Sequence, residues 1–123
     1  MKCLSIQQPW AGLIVAGVKK IECRSWHTPH RGKILIHAGR RINRIHPTSL
    51  DVNISVCESL VAARGVVIGE ANLVDCRPAK PDDYHDALCE IKEGMFAWVL
   101  DSAHSIPPFE LKGKLGLFEV NIK

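Results

Sequence analysis

The chain opens on an alternation. From Lys2 to Gln7, Leu4 and Ile6 alternate with Cys3 and Ser5, the period of two that sends successive side chains to opposite faces of a strand. At Gln8-Pro9 the pattern changes, and Trp10-Ala11-Gly12-Leu13-Ile14-Val15-Ala16 is almost wholly apolar. Proline suits the first turn of a helix and Gly17 stands where a left-handed cap would end it, so the pattern predicts a helix over 9–16. Alternation returns from Ile21 to Trp26, with Ile21, Cys23 and Ser25 on one face and Glu22, Arg24 and Trp26 on the other. Arg31-Gly32 then marks a turn before a more continuously apolar strand, Lys33 to Ala38, bounded by Gly39.

The second half is punctuated differently. Arg40 to Asn53 is polar, contains Pro47 and reads as an excursion over the surface. Val52, Val56, Leu60 and Ala63 recur at helical spacing, which predicts a helix over 51–63, stopped by Arg64-Gly65. Val66 to Cys76 reads as a long strand with a bulge or close approach at Gly69. A proline- and acid-rich stretch follows from Arg77 to Asp86; within it Pro81-Asp82-Asp83-Tyr84 reads as a capped turn, and Ala87 to Ile91 as a short helical piece. Phe96 to Leu100 is a strand, Ile106 to Glu110 a proline-marked loop or edge, and Leu115 to Ile122 a closing strand. Five or six strands with two short helices predict an α+β fold built on a partly closed β-barrel.

Composition narrows this picture. At 123 residues, with 46% hydrophobic and 24% charged positions, the chain is expected to form one domain over 1–123. Its apolar runs, such as Ala11 to Val18, fall well short of the ~20 residues that cross a bilayer, and its opening residues lead us to expect no secretion signal. A protein without a membrane partner is the expectation. Five cysteines, Cys3, Cys23, Cys57, Cys76 and Cys89, are an odd number without a CxxC pair, so neither a zinc knuckle nor a thioredoxin-type motif is indicated. They read as reduced thiols behaving as small hydrophobes in a cytoplasmic protein. His27 and His30 form an HxxH with no third ligand nearby, so neither a metal nor a cofactor is expected.

Charge changes the picture more. The whole chain carries a net +3, but residues 1–46 hold nine basic residues against one acid, Glu22, whereas residues 47–123 hold seven against twelve. Such asymmetry points to an anionic partner for the basic half, either nucleic acid or an acidic protein. Within that half, Glu22, Arg24 and Trp26 share a strand face and Lys19 lies at the turn feeding it. A guanidinium can grip phosphate bidentately, a carboxylate can accept a base amino proton, and an indole can stack. A cross-strand ion pair beside a half-buried aromatic is the structural alternative.

The same residues carry a resemblance. LSIQQPWA, then AGVKKIECRSW, then RGKILIHA, together resemble the ASCH (activating signal cointegrator homology) domain, a branch of the PUA-like fold. The GxKxxExR hallmark of that family reads here as Gly17, Lys19, Glu22 and Arg24, and GMFAWVL and KGKLGLFEV look like its final strands. The resemblance implies a small PUA-like barrel of about five or six strands with two or more short helices, and a basic cleft beside the first helix that takes RNA or a nucleotide. Carried over residue by residue, Lys19, Glu22 and Arg24 would line the cleft. Gln7, Gln8, Trp10 and Trp26 are its neighbours in sequence, and Arg31, Lys33, Arg40 and Arg41 would extend the basic surface along a phosphate backbone.

Some members of the family are hydrolases, either cleaving RNA or removing an acyl group from modified cytidines. If this chain is an enzyme, Lys19 and Glu22 are the catalytic candidates. The acyl-removing branch uses a threonine three residues after the cleft lysine, where this chain has Glu22, which cannot serve as a hydroxyl nucleophile. His37 and Glu70 are secondary candidates, each with a simpler reading: a satisfied histidine in an apolar strand, and a solvent-facing strand glutamate.

Overall fold

Why the alternation matters is clear from the sheet it builds. The computed structural model describes residues 1–42 and 57–121. Among these residues are six strands, β1 (Lys2–Gln8), β2 (Ile21–Arg24), β3 (Gly32–Ile42), β4 (Val66–Pro78), β5 (Phe96–Glu110) and β6 (Leu117–Glu119). Three short helices accompany them, α1 (Trp10–Val15), α2 (Glu58–Ala62) and α3 (Tyr84–Ala87). The strands form one sheet in the order β2-β5-β4-β3-β1-β6, with β1 and β3 parallel and the other pairs antiparallel.

The period of two divides the sheet into two faces. Leu4 and Ile6 of β1 and Ile34 and Ile36 of β3 bury one face, together with Ala11, Ile14 and Val15 of α1 and the fully buried Trp98 of β5. The alternate positions, Cys3 and Leu35, join Val67 and Phe118 in a smaller cluster on the opposite face. Because α1 covers the first face, it brings Trp10 and the turn after it beside the ends of β1 and β2, which is where the site forms.

The fold is α+β with six strands, as expected, but the ladder does not close into a barrel. Strands β2 and β6 lie at opposite ends of the strand order and do not pair with each other. Only four and three residues long, they offer little backbone to join. Curling is completed by a side chain instead: Arg24 Nη2 at the end of β2 donates to the Ser5 carbonyl of β1 at 3.0 Å.

Several boundaries differ from the sequence reading. Strand β2 stops at Arg24, so Ser25 and Trp26 fall in a bend outside it. Strand β5 runs through the prolines to Glu110 rather than ending at Leu100. Its ladder with β4 goes from Gly69↔Ser105 to Val67↔Phe109, so three residues of β5 oppose one of β4 around Pro107 and Pro108. That bulge accommodates residues without an N–H, and this end of β5 has only β4 as a neighbour. The bulge expected at Gly69 is present, as the β3–β4 register shifts between Ile36 and His37. A Cβ at Gly69 would lie 2.5 Å from the His104 carbonyl and 2.7 Å from Val15, so the position admits no side chain.

The capped turn at Pro81–Asp83 is a 3-10 turn leading into α3, where Asp83 pairs bidentately with Arg77 at 2.8 and 2.9 Å and accepts the Lys80 N–H. That guanidinium holds the Asp83 carboxyl below its ordinary range. The second predicted helix is observed over Glu58–Ala62, and its first turns, with most of the excursion from Arg40 to Asn53, lie outside the described residues. No helix among the described residues is long and apolar enough to cross a membrane.

Candidate functional site

The cleft is built where β1, α1 and β2 converge. Gly17 ends α1 with φ of +80°, and the turn after it places Lys19 immediately before β2. Lys19 is only 2% exposed, so its ammonium must be satisfied locally. It donates to the Ala87 carbonyl at the end of α3, lies 3.6 Å from Glu22 Oε1, and sits 5.0 Å from the centre of the Trp10 ring. The other Glu22 oxygen accepts from Arg24 Nε at 3.0 Å and lies 2.9 Å from Arg24 Nη2. Two cations thus flank one carboxylate, leaving a net positive charge in a poorly solvated corner.

Arg24 is the half-exposed member of this trio and stands between two cavities. The first, of about 560 Å³, is lined by Trp10, Lys19, Glu22 and Arg24 and closed by Cys89, Glu90, Lys92 and Met95 from the segment between α3 and β5. The second, of about 910 Å³, is lined by Arg24, Arg40, Arg41, Lys112 and Lys114, with Glu110 as its one carboxylate among the described residues. Ser5, Gln7 and Arg24 line both, so the two cavities are adjoining parts of one surface.

The floor of the second cavity is a closed polar unit. His37, 1% exposed, lies across from Ser5 in the β1–β3 ladder. Its Nε2 is 2.7 Å from the Leu111 carbonyl, which can only accept, so Nε2 carries the proton and Nδ1 accepts from the Ser5 hydroxyl at 2.9 Å. Burial pushes the His37 pKa below its ordinary value, and the nearby Arg40 charge acts in the same direction, in keeping with a neutral ring. Gly113 lies against this pair: a Cβ there would be 2.9 Å from Ser5 Oγ, so glycine lets the Lys112–Lys114 segment pass over it. With both ring nitrogens engaged, His37 ties three strands' worth of chain together.

Of the residues singled out from sequence, the structure brings together Gln7, Trp10, Lys19, Glu22, Arg24, Arg40 and Arg41 around these cavities. It does not bring Trp26, Arg31, Lys33 or Glu70 to them. Trp26 packs edge-on against Trp98, with ring centres 4.7 Å apart, because the bend after Arg24 turns it toward the core. Arg31 precedes β3, where it donates to the Thr28 and His30 carbonyls and lies 3.7 Å from Asp75. Glu70 pairs with His104 at 2.8 Å and Lys33 at 3.3 Å, the outward-facing arrangement of a strand glutamate. Gln8 is a structural clamp, fully buried, with its amide donating to Leu60 and Ala63 and accepting from Gly12. Among the described residues, no group of three His, Cys, Asp or Glu side chains is placed to hold a metal ion.

Two thiols of the cleft were not legible as site residues in the sequence, Cys89 in the segment after α3 and Cys23 in β2. Cys23 and Cys89 both line the first cavity, half-buried. The neighbouring Cys23 thiol, together with the Lys19 charge, lowers the Cys89 thiol to about 6, against the opposing effects of burial and Glu22. The Cys23 thiol is driven far above its ordinary range by Cys89 and by burial. The only signal in the sequence was the position of Cys23 between Glu22 and Arg24.

A curled, mixed six-stranded sheet with α1 across one face and a cationic cleft at its open end defines a small α+β domain. The chain matches the ASCH domain over residues 4–109 and therefore belongs to the ASCH domain family. It is 28% identical over 130 residues to Activating signal cointegrator 1 of Mus musculus, and 27% identical over 135 residues to that of Homo sapiens. Each match covers 98% of this chain but only 22% of the relative, so the chain spans about a fifth of those proteins. The crystal structure of ASCH from Zymomonas mobilis superposes with a TM-score of 0.60 at 21% identity, covering 89% of this chain and 73% of that one. A point variant of the same bacterial protein gives 0.60 at 16% identity, covering 98% and 87%. At such identities the likeness establishes the fold.

Proposed function

We propose that this chain, as one domain over residues 1–123, binds RNA or a nucleotide across the two adjoining cavities. The observation that carries this reading is the position of Arg24, shared by a Trp10-lined pocket and a trough with four further cations. A base entering the smaller cavity meets an indole for stacking and the Glu22 carboxylate for an amino group. Its phosphate then reaches the Arg24 guanidinium, and the next phosphates follow Arg40, Arg41, Lys112 and Lys114. Five half-buried or buried thiols without a disulfide suit a reducing, cytoplasmic setting.

Hydrolysis of a nucleic acid or an acylated cytidine is the weaker reading. Lys19 and Glu22 satisfy each other and their neighbours, which leaves neither poised to take a proton from a substrate. The test is anisotropy of a labelled single-stranded RNA over a series of salt concentrations, with an acidic protein as competitor and product analysis by mass spectrometry. Salt-sensitive binding that weakens in Arg24→Ala supports the reading. A salt-independent signal, or unchanged affinity in that variant, overturns it, and new products would move the assignment to an enzyme.

A further inference from the structure

The five cysteines fall into two groups. Cys3, Cys57 and Cys76 are buried, and burial pushes the Cys3 thiol up to about 12 and raises that of Cys57. Cys3 and Cys57 thus stay protonated, and all three are sheltered and behave as small hydrophobes. Cys23 and Cys89 differ in three ways. They are half-buried, they line the wall of the smaller cavity, and each shifts the other's titration. They come from separate elements, Cys23 from β2 and Cys89 from the segment after α3, and pack together beside Ile21, Ala87 and Ala97.

Their surroundings favour a reactive thiol. Lys19 is anchored between the two elements, donating to the Ala87 carbonyl on one side and paired with Glu22 on the other. Its charge and the neighbouring Cys23 thiol both act to lower the Cys89 thiol below its ordinary range. A partly exposed thiolate in an electropositive setting, with a second thiol on the same cavity wall, is the arrangement that peroxides oxidise and a neighbouring cysteine resolves.

We propose that Cys89 and Cys23 form a redox-modification site on the cleft wall, with Cys89 as the peroxide-reactive thiol and Cys23 as its resolving partner. The Cys89 sulfur attacks one oxygen of hydrogen peroxide, the O–O bond breaks, and the departing hydroxide takes up the proton that Cys89 released. This leaves a sulfenic acid at Cys89 and one water. The Cys23 sulfur then attacks the Cys89 sulfur, the S–O bond breaks, and the hydroxyl leaves with the Cys23 proton as a second water. Two thiols are oxidised to one disulfide and one peroxide is reduced to two waters. Oxidation removes the thiolate from a cavity otherwise lined by Lys19, Arg24 and Lys92 against Glu22 and Glu90, making it more positive.

The experiment uses the native, unmodified chain. Hydrogen peroxide is added, samples are trapped with N-ethylmaleimide over time, and unreduced digests are read by mass spectrometry. The expected result is a cross-linked Cys23–Cys89 peptide pair lacking two hydrogens, reversed by dithiothreitol, before Cys3, Cys57 or Cys76 reacts. In parallel, iodoacetamide at neutral pH should label Cys89 at least about tenfold faster than Cys3. Equal labelling rates, or conversion of Cys89 to its sulfinic acid without the cross-link, would overturn the proposal.

Discussion

In the smaller cavity the Lys19 ammonium, the Glu22 carboxylate and the Arg24 guanidinium hold one another, whereas among the described residues of the larger one five cationic side chains accompany a single carboxylate, Glu110. The first set of charges is buried and its members depend on each other to stay there. The four members of the second besides Arg24 sit on exposed positions at the end of β3 and in the segment before β6, where their field reaches solvent. Substitution in the first region should therefore be felt in stability, and in the second in salt-dependent binding. Arg24, which belongs to both, should register in each.

The largest effect is expected from removing the most buried charge. Lys19→Met leaves Glu22 facing a single cation and strips the Ala87 carbonyl of its donor, a loss of about 3 kcal/mol or more in folding free energy. Urea denaturation with an unchanged slope would measure it. A variant as stable as the parent would mean that the ion pair is no part of what holds the cleft together.

Arg24→Ala should come next, weakening single-stranded RNA binding by about 2 kcal/mol, or roughly thirtyfold, because it loses a charge-assisted phosphate contact at the centre of the surface. Titration calorimetry on the folded variant gives this directly. The double variant Arg40→Ala/Arg41→Ala should behave differently. Its stability should stay within about 0.5 kcal/mol of the parent, while the slope of log affinity against log salt falls by about 1.4, or 0.7 for each single-strand phosphate contact. The smallest effect is expected at Arg31. It stands nine residues before Arg40 along an extended strand, about 30 Å away, and is already held by the Thr28 and His30 carbonyls. Arg31→Ala should change RNA affinity by less than about twofold, and a larger loss would show that the bound strand runs past the β3 entrance.

Local patterns in the sequence carried much of this architecture. The alternation in β1 separated Leu4 and Ile6 from Cys3 and Ser5, Gly17 marked the end of α1, and Gly69 marked a real bulge, since each depends on neighbours within a few residues. The spacing that links Lys19, Glu22 and Arg24 was equally local, because one turn and one short strand suffice to bring them together. Long-range geometry was harder to read. Trp26 follows the alternation of Glu22 and Arg24, yet β2 ends two residues earlier and the indole turns inward against Trp98. Pro107 and Pro108 argued for a break, and only the β4 ladder shows a bulge absorbing them. Cys89 and Lys112 to Lys114 reach the cleft across separations of tens of residues, which no periodicity records.

The most direct test of the central idea is a crystal structure of the protein bound to a short single-stranded RNA. The account predicts one base beside Trp10 and Glu22 in the smaller cavity, its phosphate on Arg24, and the next phosphates along Arg40, Arg41 and the Lys112–Lys114 segment. RNA bound on another face, with both cavities empty and no phosphate near Arg24, would contradict it.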